Sequence, residues 1–392
     1  MTELDRTSLD RILPPAHGSP DWDDVLDRAG ARSGTPTRPP SRWRVVAIAA
    51  AIVAGAAMLA TPALGIGDRL LALIEGAPAR PEVQSPVWSP DGRRIAFVNR
   101  RDGRTLYVMN ANGSGLRIVA RVQRLATPVW SPDGRRIVFQ GSGDGAVYVV
   151  NADGSGQRTL ARRGNAPAWS PDGRRIAFAI TGKVYVVNAD GSGHRTLTQL
   201  GRDGGVASLA WSPDGRKLLF LVEHSSAPRC GYCSRLWVLN ADGSGLRDLT
   251  RTLTGGFGSP ASDPVWSPDG RRIAFVRLNT RHGVYVVNAD GSGVRNLTPK
   301  PMGAFYAAPA WSPDGRKIAF ASERDGNSEI YLMNADGSGK RNLTRNLAYD
   351  GDPAWSPNGR KITFVSNRDG RYAVSVMNAD GSGQRNLTLQ DS

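Results

Sequence analysis

The chain has 392 residues, with 46 glycines, 26 prolines, two cysteines and four histidines. That length holds two or three ordinary domains or one large repeat domain, and so few cysteines and histidines exclude a disulfide-dense scaffold and a four-cysteine metal site. Fifty Lys+Arg against 35 Asp+Glu give a net charge of +15, which points to acidic partners unless something simpler explains it.

Residues 1–42 lack sustained apolar periodicity and read as a largely disordered cytoplasmic tail. Within it, the short amphipathic piece Asp21–Ala29 reads as a helix capped by Asp21, with Trp22, Val25 and Leu26 on one face. From Val45 to Gly67, 23 residues run without a charge, long enough to span a bilayer as a helix. Arg42, Trp43 and Arg44 at its leading edge place the N-terminus inside and the rest of the chain outside. The expected division is a tail over 1–42, a transmembrane helix over 43–67, a stalk over 68–82 and an extracytoplasmic domain over 83–392. Two other readings stand beside the anchor: a cleaved signal peptide, with small residues at Ala60–Ala63, and a buried soluble helix. The long leader and long apolar run both depart from a signal peptide.

Beyond residue 83 one unit repeats seven times. Trp-Ser-Pro-Asp/Asn-Gly-Arg-Arg/Lys begins at Trp88, Trp130, Trp169, Trp211, Trp266, Trp311 and Trp355. Asn-Ala-Asp/Asn-Gly-Ser-Gly begins at Asn110, Asn151, Asn188, Asn240, Asn288, Asn334 and Asn378. Both signatures are turn chemistry, with Pro presetting φ and Gly taking positive φ. Residues 353–389 therefore read as four strands joined by turns. Arg94–Val98 and Val147–Val150 are apolar on successive residues, so these strands are buried on both faces. The fourth strand, as in Arg341–Thr344, alternates and carries charge, as an exposed edge does. That pattern predicts an all-β fold: a seven-bladed propeller of four-stranded antiparallel blades starting near 86, 128, 167, 209, 264, 309 and 353. All seven copies are complete, so a monomeric ring without an exchanged strand is expected.

The paired pattern P-x-W-S-P-D-G-R-x-I-A-F … Y-V-M-N-A-D-G-S-G resembles the WD-like propeller repeat of TolB-type periplasmic proteins. It is similar also to the propeller of prolyl oligopeptidase-type peptidases. The resemblance covers about residues 83–389 and implies a fold that hosts many functions. TolB-type proteins pair an N-terminal non-propeller domain with six blades, whereas this chain carries seven repeats behind a tail and an apolar run. Gly18–Leu26 before the alanine-rich span resembles the leaders of membrane-tethered proteins of high-GC bacteria, some of them anti-sigma-like.

The repeat explains much of the charge. The turns after the tryptophans contribute 14 cations, from Arg93/Arg94 to Arg360/Lys361, and the fourth strands add Arg117, Arg158, Arg195, Arg247, Arg295, Arg341 and Arg385. The plain reading makes these solvated turn and edge side chains; the functional one makes them an electropositive rim facing anionic lipid or cell-wall polymer. Nucleic acid is not an expected partner, because the topology puts this surface outside the cell. The repeated Asp91, Asp133, Asp172, Asp214, Asp269 and Asp314 read as turn-stabilising, since Asn358 replaces the seventh.

Both repeated turns lie on one face of the ring, and the variable connections lie on the other. The outliers are 222–235, 251–263 and 299–308. They supply His224, Tyr232, Phe257, Asp263, Phe305 and Tyr306, to which Asp352 is added, as the candidate binding face. Cys230 and Cys233 have no helix or βαβ context for redox work and are expected to form a local disulfide. No catalytic residue, cofactor or metal is assigned, and there is no G-x-S-x-G elbow. The reading is a non-catalytic binding platform for a protein or envelope polymer at the cell membrane. A transmembrane regulator that senses through the propeller and a loop-carboxylate hydrolase or lyase are the alternatives.

Overall fold

The two repeated signatures fold as the two tight turns of one antiparallel unit. In the first, Ser89 Oγ donates to Asp91 Oδ1 at 2.5 Å and the same oxygen accepts from Arg93 N at 3.0 Å. Gly92, at φ 68°, closes the turn by donating to Ser89 O. Asn358 takes the aspartate's place in the last copy, accepting from Ser356 Oγ at 2.8 Å and Arg360 N at 3.1 Å. In the second turn Asp153 Oδ1 accepts from Ser155 N at 2.8 Å and Ser155 Oγ at 2.7 Å. Asn112 accepts from the matching groups of Ser114 in the first copy. The acids of both signatures thus serve the turn backbone.

The computed structural model describes residues 83–99, 101, 103–122, 125–141, 145–200, 204–224, 233–250, 261–277, 282–299 and 306–388. All lie in the compact unit Ala79–Ser392. The expected tail, membrane helix and stalk fall outside the described residues, among which no helix is long and apolar enough to cross a membrane.

Seven four-stranded antiparallel sheets follow one another along the chain, each ordered inner, second, third, outer. The inner strands of blades 1 to 7 are Val83–Trp88, Val129–Trp130, Asn165–Trp169, Gly204–Trp211, Ala261–Trp266, Tyr306–Trp311 and Asp350–Trp355. Six of them start at Val83, Asn165, Gly204, Ala261, Tyr306 and Asp350, ahead of the expected 86, 167, 209, 264, 309 and 353. The reason is a β-bulge, which carries pairing past an irregular residue, as between Gly351 and Ala354.

Second and third strands are buried on both sides, as in Arg94–Asn99, where every residue from Ile95 onward is buried. A sheet apolar on both faces must be covered twice. Seven cores accordingly lie between neighbouring blades. Ala96, Val108, Ile137 and Phe139 pack between blades 1 and 2, and Phe97, Met109, Val374 and Leu387 between blades 7 and 1. Within five blades the second-strand Phe stacks on the third-strand Tyr, as in Phe97–Tyr107 at 5.5 Å between ring centroids.

Three sets of polar ties link neighbouring blades, and the last of them occurs at all seven junctions. Tryptophan Nε1 donates to the carbonyl preceding the equivalent tryptophan of the previous blade. The bonds run Trp130 to Val87, Trp211 to Ala168, Trp266 to Ala210 and Trp355 to Ala310, and Trp88 to Ala354 closes the ring, all at 3.2–3.4 Å. Arg94, Arg136, Arg175 and Arg272 lay their guanidinium groups over the tryptophan ring of the following blade at 4.8–5.0 Å. Every outer-strand arginine donates to backbone carbonyls of the next blade's second turn. Arg158, for example, reaches Asp190 O at 2.6 Å and Ala189 O at 2.7 Å, and Arg385 reaches Asn112 O across the closure. The outer-strand arginines are exposed, as the plain reading has it, but their guanidinium groups are engaged rather than free. The outer-strand arginines and half of the turn pairs in four blades are structural ties.

The same arginines touch the electrostatics of the turns. Asp153, Asp190, Asp242, Asp290, Asp336 and Asp380 are held below the ordinary carboxylate range. The main cause is the serine hydroxyl, then the serine N–H, with a smaller contribution from the preceding blade's arginine. A carboxylate whose folded value is lowered stabilises the fold above its unfolded value of 3.8 and loses that stabilisation as pH falls through the folded value.

Two outcomes follow. The thermal unfolding temperature should fall as pH drops below about 4, and about 0.5 M salt should leave most of that fall in place because hydrogen bonds dominate the shift. Trp169 Nε1 is buried without a hydrogen-bond partner, whereas Trp211 Nε1 is bonded. In urea unfolding followed by circular dichroism, Trp211→Phe should therefore cost about 1 kcal/mol more than Trp169→Phe.

Candidate functional site

The variable face is defined by where the strands end. Second-to-third connections and outer-to-inner connections emerge there, opposite the two repeated turns. Blade 4 is the tallest on this side: its first three strands, Gly204–Trp211, Lys217–His224 and Cys233–Asn240, have eight residues each. His224 ends the second and pairs with Cys233 at the start of the third. The backbone thus places both at the tip of one hairpin. Tyr306 opens the inner strand of blade 6 and pairs with Ser322. Tyr232, Phe257, Phe305 and Cys230 lie outside the described residues, as does the expected disulfide.

Asp263 and Asp352 were expected ahead of the first strands. They lie inside them, three positions before the tryptophan, at the bulge of blades 5 and 7. Five inner strands hold this position in the left-handed region: Ser85 (φ 52°), Ala166 (51°), Asp263 (50°), Ala308 (47°) and Asp352 (51°). None is a glycine, so each stores backbone strain. The bulge is cross-linked around the axis. Asp263 Oδ2 accepts from Ala308 N, and Asp352 Oδ2 accepts from Ser85 N, each at 3.4 Å. The two acids therefore occupy equivalent places two blades apart, each reaching the next blade's bulge. Among the described residues no group of three His, Cys, Asp or Glu side chains is arranged to hold a metal ion.

A polar knot that the sequence reading missed lies between blades 6 and 7. Asp350 is fully buried and paired with Arg368 at 3.2 Å. Glu329, 2% exposed, accepts from the Thr344 hydroxyl and from Asn346 N at 2.8 Å. Asn346 Nδ2 donates to Asp350 Oδ2 at 2.6 Å, and Asn327 Nδ2 donates to Asn346 O at 3.0 Å and Ala348 O at 2.6 Å. Ala348 N donates to Asn346 Oδ1, and Tyr349 N to Asn367 Oδ1, both at 2.7 Å. Together these bonds fix the connection 345–349 on the variable face. The available signal was the Arg-Asp-Gly triplet after the second strand at Arg368, set against an Asp at the start of that blade's inner strand. A shallow cleft between blades 2 and 3 is lined by Arg162, Arg163, Phe178, Tyr185 and His194, with His194 edge-on to Phe178 at 6.2 Å.

Comparison with known proteins agrees with this architecture. Residues 231–392 match the family described as TolB beta propeller domain, and residues 66–252 match the Lipoprotein LpqB beta-propeller domain. The Tol-Pal system protein TolB of Syntrophus aciditrophicus (strain SB) is 42% identical over 59 residues, a stretch that spans 15% of this chain and 13% of that protein. Among solved structures, a puromycin-hydrolyzing peptidase of Mycobacterium tuberculosis superposes with a TM-score of 0.62 at 16% identity, covering 80% of this chain and 54% of the other. An oligogalacturonate lyase of Vibrio parahaemolyticus gives 0.57 at 16% identity, covering 76% and 89%. These two structures share the fold.

The strain at the bulge is testable. Ala→Gly inside a strand ordinarily costs about 0.5–1 kcal/mol. Ala166→Gly should instead be neutral or raise the unfolding temperature, because glycine relieves the positive φ. Differential scanning calorimetry of this variant beside Ala177→Gly, in a regular strand, reads the contrast.

Proposed function

Because the chain belongs to the TolB-like β-propeller family, we propose that it is a membrane-anchored, extracytoplasmic binding platform. Its variable face holds a protein or an anionic envelope polymer, and it performs no chemistry of its own. One observation carries the reading. The turn acids are engaged with the turn backbone and the outer-strand arginines in blade-to-blade ties. The length variation falls on the opposite face, where blade 4 stands tall. A rigid ring with one variable face is built to present loops.

Asp263 and Asp352 fit a structural role on this reading, since each carboxylate accepts a backbone N–H of the following blade. The charge-free run Val45–Gly67 behind Arg42 and Arg44 supports anchoring with the propeller outside. The family match supports an envelope setting. On this reading the ring acts as a monomer.

Photo-crosslinking in intact cells tests the platform. A crosslinker at Tyr306 should capture a partner, while one at Gln157, beside a repeated turn, should capture none. Equal capture at both positions sinks the assignment of faces. Turnover of a glycan or peptide substrate that disappears in Asp263→Asn and Asp352→Asn would replace the platform by an enzyme.

A further inference from the structure

The connection between blades 6 and 7 presents an apolar side chain in an unusual way. Leu347 is 98% exposed. A lone exposed leucine is ordinary, but this one sits at the apex of a connection fixed by the buried carboxylates of Glu329 and Asp350. Tyr349, 37% exposed, stands two residues on and packs edge-to-face on Tyr372 at 5.5 Å. The result is an apolar knob beside a tyrosine pair, held without the conformational freedom that a mobile loop would lose on docking.

The point where the chain enters the propeller identifies what this knob meets. Val83 begins the inner strand of blade 1 on the variable face, and its N–H donates to Tyr372 O at 3.0 Å. The preceding chain therefore arrives beside Tyr372. Only the 15 residues 68–82 separate Val83 from the end of the charge-free run at Gly67. Fully extended, they reach about 50 Å, so on the anchored reading Val83 stays within that distance of the end of the charge-free run. Leucine with tyrosine suits the headgroup–acyl boundary, where an aromatic ring lies apolar and its hydroxyl stays wet.

We propose that Leu347, Tyr349 and Tyr372 form a membrane-docking knob that seats the blade 6–blade 7 corner in the interfacial region of the bilayer carrying the anchor. The inference rests on the anchored reading above. Docking is weak by itself and is sustained by the tether, which holds the knob at high effective concentration over the lipid. Exposed Arg345, at the start of the same connection, lies where it can meet lipid phosphates.

Full-length protein in liposomes tests this. With Cys230 and Cys233 replaced by serine, a fluorophore is attached at Arg345→Cys or, as a control on the opposite side, at Gln157→Cys. Co-flotation with the liposomes is measured first and reports the anchor alone. Nitroxide on the lipid headgroups should then quench the probe at 345 several-fold more than the probe at 157. Leu347→Asp should lower the docked-to-free ratio by about tenfold or more and bring the two probes level. Failure to co-float removes the anchor and this proposal with it. Co-flotation with equal quenching at both positions, or quenching at 345 that Leu347→Asp leaves unchanged, overturns the knob while the anchor stands. Lipid-independent quenching between labelled copies assigns the knob to self-association and also overturns the proposal.

Discussion

Each sheet of this protein is apolar on both faces, and that constraint governs the rest. A blade such as Arg94–Asn99 with its partners cannot leave either surface in water, so every blade needs two neighbours. Only a closed ring gives all seven blades two neighbours. The cores then lie between sheets, and the cores Phe97 and Phe139 join belong to different blade pairs. Stability is thus shared between neighbours, as in other repeat architectures.

The polar ties follow from the ring. Once blades are stacked, the outer-strand arginine of one lies over the second turn of the next, and its guanidinium donates to backbone carbonyls there. The guanidinium fork satisfies those carbonyls, as Arg158 does at Asp190 and Ala189. The turn aspartate beside it is already hydrogen-bonded by serine and adds a counter-charge. Part of the basic composition therefore has an internal purpose, in the outer-strand arginines and in Arg94, Arg136, Arg175 and Arg272. The surface that remains for recognition is the variable face.

The fold was legible because seven copies of one unit average away the ambiguity of any single copy. Asn358 and Asn112 each stand where an aspartate is expected, and that tolerance pointed to the turn bonding the structure shows. Other features were hidden for physical reasons. The partner of Arg117 is Ala152 O, in the next copy, and no pattern within one copy shows it. The left-handed bulge at Ala166 and Ala308 carries no glycine to mark it, because closure of the ring imposes the conformation on whatever residue is there. The knot around Asp350 joins residues from two blades and departs from the repeat at only a few positions. Length outliers were the signal followed, and the connection 345–349 is not long.

The closure between blades 7 and 1 shows how little besides repetition holds the ring. Among the described residues no strand is exchanged across it. Trp88 bonds Ala354 O at 3.2 Å and Arg385 reaches Asn112 O at 3.4 Å, the same ties that join other pairs. One charged contribution is absent from the sequence there, since Asn112 carries no counter-charge for Arg385; blade 7, like blades 4 and 6, offers a lysine (Lys361) where blades 1, 2, 3 and 5 place an arginine over the next tryptophan. What the seam has instead is Val83 N donating to Tyr372 O and the bulge bond from Ser85 to Asp352, both contributed by the first residues of the ring. The segment that enters the propeller is therefore also the segment that locks it. Force applied at Val83 therefore acts directly on the closure, because the bonds from Val83 and Ser85 are the ones that bridge blades 1 and 7.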